Sequence, residues 1–203
     1  VISYGKLQSG NNLTPFSVTA TDFKATYDLV TGAPSDFKLS VNTASPIGTK
    51  EVSRIVRVNS PLTFGTTKVY LQANGYSPLV TVRDKSGEIK FQGAVIFLPQ
   101  DGNLTSIGAI KVPDMQPQIG FVGSFVPTYE RTLERGSFSS YPEALDPRLL
   151  VSIWTGDLGL DSGIPQSVYR IDTSEMKRIG LKTLKLNETH DFGDGSITFE
   201  GWT

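Results

Sequence analysis

The sequence contains no cysteine and a single histidine, His190, among 203 residues. The first absence excludes disulfides, thiolate metal centres, iron–sulfur clusters, a cysteine nucleophile and thiol exchange by this chain itself. The second excludes a zinc or copper site built from several imidazoles, and it leaves one residue for the base of any Ser–His–Asp triad. Charge is scarce as well. Charged side chains make up 19% of the chain, below the roughly 25% of an average soluble domain. The formal net charge of −1 lacks the cationic surplus with which nucleic-acid-binding domains displace counterions, so no nucleic-acid partner is expected. No apolar run reaches the roughly 18 residues that a bilayer-spanning helix needs, and no signal-peptide pattern is present. Extended helical periodicity is missing too.

What is present is turn-forming residues and alternation. The 20 glycines and 12 prolines favour many turns over long helices. Apolar residues recur with period two in Phe16–Ala20, Phe23–Tyr27, Phe37–Val41, Ser53–Val58 and Thr67–Gln72, the signature of half-buried strands. Leu79–Arg83 and Glu88–Phe91 flank Asp84-Lys85-Ser86-Gly87, which predicts a hairpin with glycine at a left-handed turn position. Ala94–Leu98 is continuously apolar and predicts a strand buried on both faces. Further strands are expected at Thr105–Val112, Phe121–Val126, Leu149–Trp154 and Ser167–Ile171. A closing hairpin is expected between Leu181–Leu186 and Ser196–Phe199, with Asp194-Gly195 at its turn. A short helix is expected in Thr128–Arg135, or in Glu143–Leu145 as one turn, and a turn of helix in Thr173–Met176 with Thr173 or Ser174 capping.

About twelve short strands at regular spacing predict an all-β sandwich or barrel-like body, either single or as two packed β lobes. The chain reads as one β-rich domain over 1–203, with residues 127–148 the best place for a sub-lobe boundary. Charge is unevenly divided. Residues 1–100 hold 10 basic and 6 acidic side chains, and residues 101–203 hold 9 and 14. Such asymmetry orients a domain against a charged partner or is simply the chance division of a solvated surface.

Few residue patterns carry chemistry. Gly136-Ser137-Phe138-Ser139-Ser140 lacks the closing glycine of a nucleophile elbow. Asp157-Leu158-Gly159-Leu160-Asp161-Ser162-Gly163 has two carboxylates four residues apart, too few oxygen ligands for a calcium loop, and reads as a tight Gly/Asp turn. No phosphate-binding glycine loop exists. His190, between polar neighbours, is either a solvated histidine or an axial haem ligand, since one neutral imidazole suffices there. Met115, Met176 or a tyrosine would then be the second ligand. The expectation is a non-enzymatic chain with no metal site.

Three segments occur in a characteristic order. Val56-Arg57-Val58-Asn59-Ser60-Pro61-Leu62 precedes Lys68-Val69-Tyr70. Phe97-Leu98-Pro99-Gln100-Asp101-Gly102-Asn103 follows. Leu145-Asp146-Pro147-Arg148-Leu149 then runs toward Thr155–Gly163 and Pro165-Gln166-Ser167-Val168-Tyr169. From about Phe16 to Trp202 the chain resembles the extracytoplasmic domain of ResB-like cytochrome c biogenesis proteins. The resemblance implies an integral membrane protein of the system II pathway, whose flanking helices lie outside this chain. Val1 and Thr203 are then cut ends of a longer protein. It implies a cell-membrane location with this domain on the extracytoplasmic side. It also implies a ResC-type membrane partner, haem delivery to apocytochrome c, and a thioredoxin-like reductant for the apocytochrome thiols. The haem-ligating histidines and tryptophan-rich segment of that system match no position here, so no cofactor is expected to be held firmly by this domain, haem belonging to the full complex.

The expected function is therefore non-catalytic docking within a cytochrome c maturation complex. Polar glycine-containing loops on a rigid β body are where contacts commonly sit. Pro99–Thr105 and Thr155–Pro165 are such loops, and Gln100, Asp101, Asn103, Asp157 and Asp161 are the partner-binding candidates. Two alternatives stand beside this reading: direct haem binding through His190, and an unrelated secreted ligand-binding β-sandwich.

Overall fold

The structure, a computed structural model, describes residues 15–163 and 166–203. The chain forms two compact units, Val1–Ala73 and Asn74–Thr203. Residues 127–148 lie inside the second.

In the first unit, β1 (Ser17–Tyr27), β2 (Pro34–Ala44) and β3 (Val52–Arg57) form an antiparallel sheet in that order, and β4 (Leu62–Phe64) pairs with β5 (Thr67–Val69). Val41, Val56, Leu62 and Phe64 are its buried core, and Phe16 stacks on Phe64 with ring centroids 4.3 Å apart. The two alternating runs Phe16–Ala20 and Phe23–Tyr27 belong to one strand. Ala20 pairs with Val41, but Asp22 pairs with Ser40. This bulge at Thr21 shifts the side-chain phase by one residue, so Phe16 and Val18 pack with the core while Phe23 and Tyr27 meet Phe37 at 6.0 and 6.1 Å.

The second unit contains β6 (Pro78–Asp84), β7 (Ile89–Ala94), β8 (Leu98–Pro99), β9 (Ser106–Val112), β10 (Ile119–Val126), β11 (Tyr129–Thr132) and β12 (Gly136–Ser139). These are followed by β13 (Arg148–Thr155), β14 (Lys177–Lys185), β15 (Thr189–Asp191) and β16 (Gly195–Trp202). One sheet has the order β15-β16-β6-β7 and the other β14-β13-β10-β9-β8. Val80, Val82, Ile197 and Phe199 of the first share a core with Ile110, Val112, Ile119, Phe121, Phe125, Leu149, Val151, Ile153 and Leu184 of the second. Phe125 meets Phe199 edge-on at 6.1 Å. Each fully buried side chain of this size contributes about 1.5–3 kcal/mol, which is why the period-two pattern dictates two facing layers. The all-β sandwich expectation is met.

Several local expectations are not. Sixteen strands form among the described residues rather than about twelve. Thr128–Arg135 is no helix. Tyr129–Thr132 and Gly136–Ser139 pair as a hairpin, with Gly136 at φ 69. Glu143–Leu145 is a bend in which the Leu145 amide donates to the Glu143 carbonyl at 3.0 Å. Thr173–Met176, expected as one turn, does form a single turn, closed from the Met176 amide to the Thr173 carbonyl at 3.1 Å. Ser167–Ile171 is a turn instead of a strand: the Ser167 hydroxyl accepts from the Tyr169 amide at 3.2 Å, a local bond that competes with a sheet ladder. The last hairpin joins β15 to β16 rather than β14 to β16, since β14 pairs with β13. Ala94–Leu98 is not buried on both faces. β7 ends at Ala94, Phe97 alone enters the core at 1% exposure, and Ile96 is 60% exposed.

The β6–β7 hairpin is held by one carboxylate. Asp84 Oδ1 accepts from the Ser86 hydroxyl at 2.6 Å, the Ser86 amide at 2.8 Å and the Glu88 amide at 3.1 Å. The Ser86 hydroxyl is the largest influence holding the Asp84 carboxyl down at about 2, from an ordinary value of 3.8. A depressed carboxylate pKa stabilises the fold above the unfolded value and loses that stabilisation as pH falls through the folded one. The Asp84→Asn variant is therefore expected to show a flatter decline in thermal midpoint than the parent between pH 3.8 and about 2. Parallel declines in the two proteins would refute the clamp's role.

Candidate functional site

The first candidate loop joins β8 to β9. Asp101 Oδ1 accepts from the Asn103 amide at 3.0 Å and the Thr105 amide at 2.9 Å, and the Gln100 amide donates to the Thr105 carbonyl at 2.8 Å. Asn103 Nδ2 donates to the Ser139 carbonyl at 3.0 Å, and the Thr105 hydroxyl accepts from the Ser139 amide at the same distance. Gln100 Nε2 donates to the Leu98 and Pro99 carbonyls. The loop is thus closed on itself and bolted to β12. Gln100 and Asp101 remain exposed, Asn103 less so. Ser139, from the failed nucleophile pattern, is buried, and its hydroxyl donates to the Tyr141 carbonyl at 2.7 Å while accepting from the Thr128 amide. It is fixed in place as a structural group.

The second loop follows β13. Asp157 Oδ1 accepts from the Gly159 amide at 2.7 Å, forming an Asx turn. The Leu158 amide donates to Gln118 Oε1 at 2.8 Å, and the Gly156 amide donates to the Gln118 carbonyl at 3.1 Å. Leu158 is buried over Gly120, whose missing side chain leaves room for Leu158 and Ile171. Asp161 is exposed in a single 3-10 turn, Leu160–Ser162, between left-handed Gly159 and Gly163. Ile164 and Pro165, the end of this candidate loop, lie outside the described residues. Among the described residues no cluster of three or more His, Asp or Glu side chains is placed to hold a metal ion.

Strand register shows that these candidates form two surfaces. Ser106 pairs with Phe125 at one end of β9, and Val112 pairs with Ile119 at the other. The Gln100–Asn103 loop leaves from the first end. The Asp157–Asp161 loop leaves from Thr155, which pairs with Ile119 at the second. Seven residues of strand put the two ends roughly 20 Å apart.

His190 stands on β15, an edge strand of the other sheet, opposite Ile197. Met115 and Met176 are buried, Met115 within the main core and Met176 beside Gly156. Met115 lines one hollow of about 350 Å³, together with Asp84, Lys85, Lys90, Asp114 and Asp194. The charges there are largely matched. Lys85 meets Asp194 at 2.8 Å, and Lys90 meets Glu88 and Asp84 at 2.6 and 3.3 Å. Bonding to Asp194 raises the Lys85 pKa, and bonding to Glu88 raises that of Lys90.

The feature that sequence reasoning missed is an open apolar pocket of about 700 Å³. It lies where edge strand β7 and the free part of β9 leave the side of the sandwich uncovered. Phe91, Val95 and Ile96 form one wall, Ala109 to Lys111 another, and Leu160, Gln166, Val168 and Tyr169 the third. The surplus of apolar residues in Ala94–Leu98 was its only sequence signal.

A model of the ResB-like family matches residues 2–194. The chain belongs to the ResB-like family. Members of this family are membrane-associated components of cytochrome c biogenesis. No curated protein and no solved structure matches the chain. Among the described residues, no helix is long and apolar enough to cross a membrane.

Proposed function

We propose that this ResB-like domain is a non-catalytic docking element of a cytochrome c maturation complex. It would stand on the extracytoplasmic side of the cell membrane and support haem delivery to apocytochrome c with a ResC-type partner. The family match across residues 2–194 carries this reading. The two loops support it. Each presents exposed polar groups on a backbone fixed by side-chain hydrogen bonds, so little conformational entropy remains to be lost on binding. Their separation of roughly 20 Å suits two contacts, one with the ResC-type protein and one with the apocytochrome. A thioredoxin-like reductant would supply electrons to the apocytochrome thiols, and the absence of cysteine in this chain keeps it outside that exchange.

The test is photo-crosslinking in membranes, with a reactive amino acid placed in turn at Gln100, Asp101, Asn103, Asp157 and Asp161. Crosslinks to a ResC-type protein or an apocytochrome from at least one loop are expected. Their absence at all five positions, with crosslinks elsewhere on the domain, would overturn the loop assignment.

A further inference from the structure

Three large apolar side chains from different segments are left facing water around one pocket: Ile96 at 60% exposure, Leu160 at 40% and Val168 at 68%. Isolated exposed apolar residues are ordinary, but convergence of several on a concavity marks a binding site. The cavity of about 700 Å³ falls in the range of about 300–1,000 Å³ typical of small-molecule sites. One cation stands in its wall. Lys111 Nζ donates to the Ser167 carbonyl at 3.0 Å and to Gln166 Oε1 at 3.3 Å. Both acceptors are neutral, and among the described residues Lys111 forms no ion pair. Lys85 and Lys90, in the polar hollow, meet carboxylates instead. The pocket therefore offers a dry wall for an apolar body and a positive charge whose acceptors are only dipoles.

We propose that this pocket binds an amphiphile with an apolar chain and one anionic head group, the chain lying against Phe91, Val95, Ile96 and Val168 and the head pairing with Lys111. An incoming carboxylate or phosphate ester replaces the Gln166 amide oxygen as acceptor, turning a neutral hydrogen bond into a charge-assisted one. This assignment rests on the pocket alone and is independent of the partner-docking reading.

The experiment is calorimetric titration of the protein with dodecanoate, dodecyl phosphate and dodecanol, the two anions below their micelle-forming concentrations and the alcohol below its solubility limit. Saturable one-to-one binding of at least one of the two anions is expected, with dodecanol weaker. Which anion binds more tightly identifies the head group. In the Lys111→Met variant the anion should lose affinity by about tenfold, the size of one charge-assisted contact, while dodecanol stays unchanged. Ala94→Trp, at an exposed lining position, should abolish binding of all three. Thermal unfolding controls for intact folding of both variants. Failure of both anions to saturate, or an equal loss of dodecanol and anion in Lys111→Met, would overturn the proposal. Partner crosslinking from the loops would be untouched by either result.

Discussion

Replacing Gly108 by alanine is expected to destabilise the protein by about 1–3 kcal/mol, the cost of forcing an extra methyl into a packed core. Gly108 on β9 pairs directly with Gly123 on β10, and the Phe97 ring lies in the trough that these two glycines leave. A Cβ on Gly108 would stand 2.7 Å from both Cγ and Cε1 of that ring. The ring is 1% exposed and has nowhere to go. Phe97→Ala alone is expected to cost about 3–5 kcal/mol through the cavity it leaves. The double variant should cost less than the sum by at least about 1 kcal/mol, because the methyl added at position 108 then occupies space vacated by the ring. Urea unfolding of the four proteins measures this. Additivity would show that Phe97 and the added methyl do not compete for the same space. The same contact bears on the pocket. Phe97 is the anchor between exposed Ile96 and β8, so its removal should loosen the pocket wall as well as the core.

Much of the fold was legible because its signals are local. The β6–β7 hairpin was written in Asp84-Lys85-Ser86-Gly87, where a carboxylate clamps the turn and Gly87 takes φ 86. The alternating strands were visible because each sheet of the second unit turns one face to the core. Where local rules failed, a longer-range pairing had taken over. Alternation cannot show that Phe16–Ala20 and Phe23–Tyr27 form one strand, since the bulge at Thr21 is defined only by its partners Val41 and Ser40. The helical reading of residues 128–135 failed for a similar reason. The isolated bridge from Thr128 to Asp146 and the bond from the Thr128 hydroxyl to the Glu143 carbonyl tie that segment to distant residues.

The site was legible in part. Polar loops were found because turn residues reveal them, yet sequence order could not place them at opposite ends of β9. The pocket was missed because its walls come from three stretches far apart in the chain, Phe91 with Ala94 to Ile96, Ala109 to Lys111, and Leu160 with Gln166, Val168 and Tyr169, and Lys111 sits in no motif. Its trace was an inconsistency: Ala94–Leu98 carries more apolar residues than a two-sided sandwich can bury. Surplus hydrophobicity beside a strand end is a signal in its own right, since an exposed apolar wall must be retained against the tendency to aggregate.

Gly195→Ala is expected to be the most disruptive glycine substitution among the described residues, costing about 3 kcal/mol or more. Gly195 opens β16 opposite Asp84, and its backbone is ordinary; the restriction is steric. A Cβ there would collide with the Arg83 carbonyl oxygen and stand 3.1 Å from Met115 Cε. A side chain can rotate away from an added methyl, but a strand carbonyl cannot. Relief requires β6 and β16 to separate at the end where Asp84 clamps its turn and Lys85 reaches Asp194. Gly193, two residues earlier, supplies the control. It adopts φ 92, and a Cβ built there meets nothing within 4 Å, so Gly193→Ala should cost only the left-handed backbone penalty of about 1–2 kcal/mol. Amide exchange should separate the two variants further. In Gly195→Ala the protection of β6 and β16 amides should fall even where the protein remains folded, whereas Gly193→Ala should affect only its own turn. Equal stabilities for the two variants would mean that the β6–β16 junction yields easily, and that the close approach at Gly195 does not fix the register of the sheet.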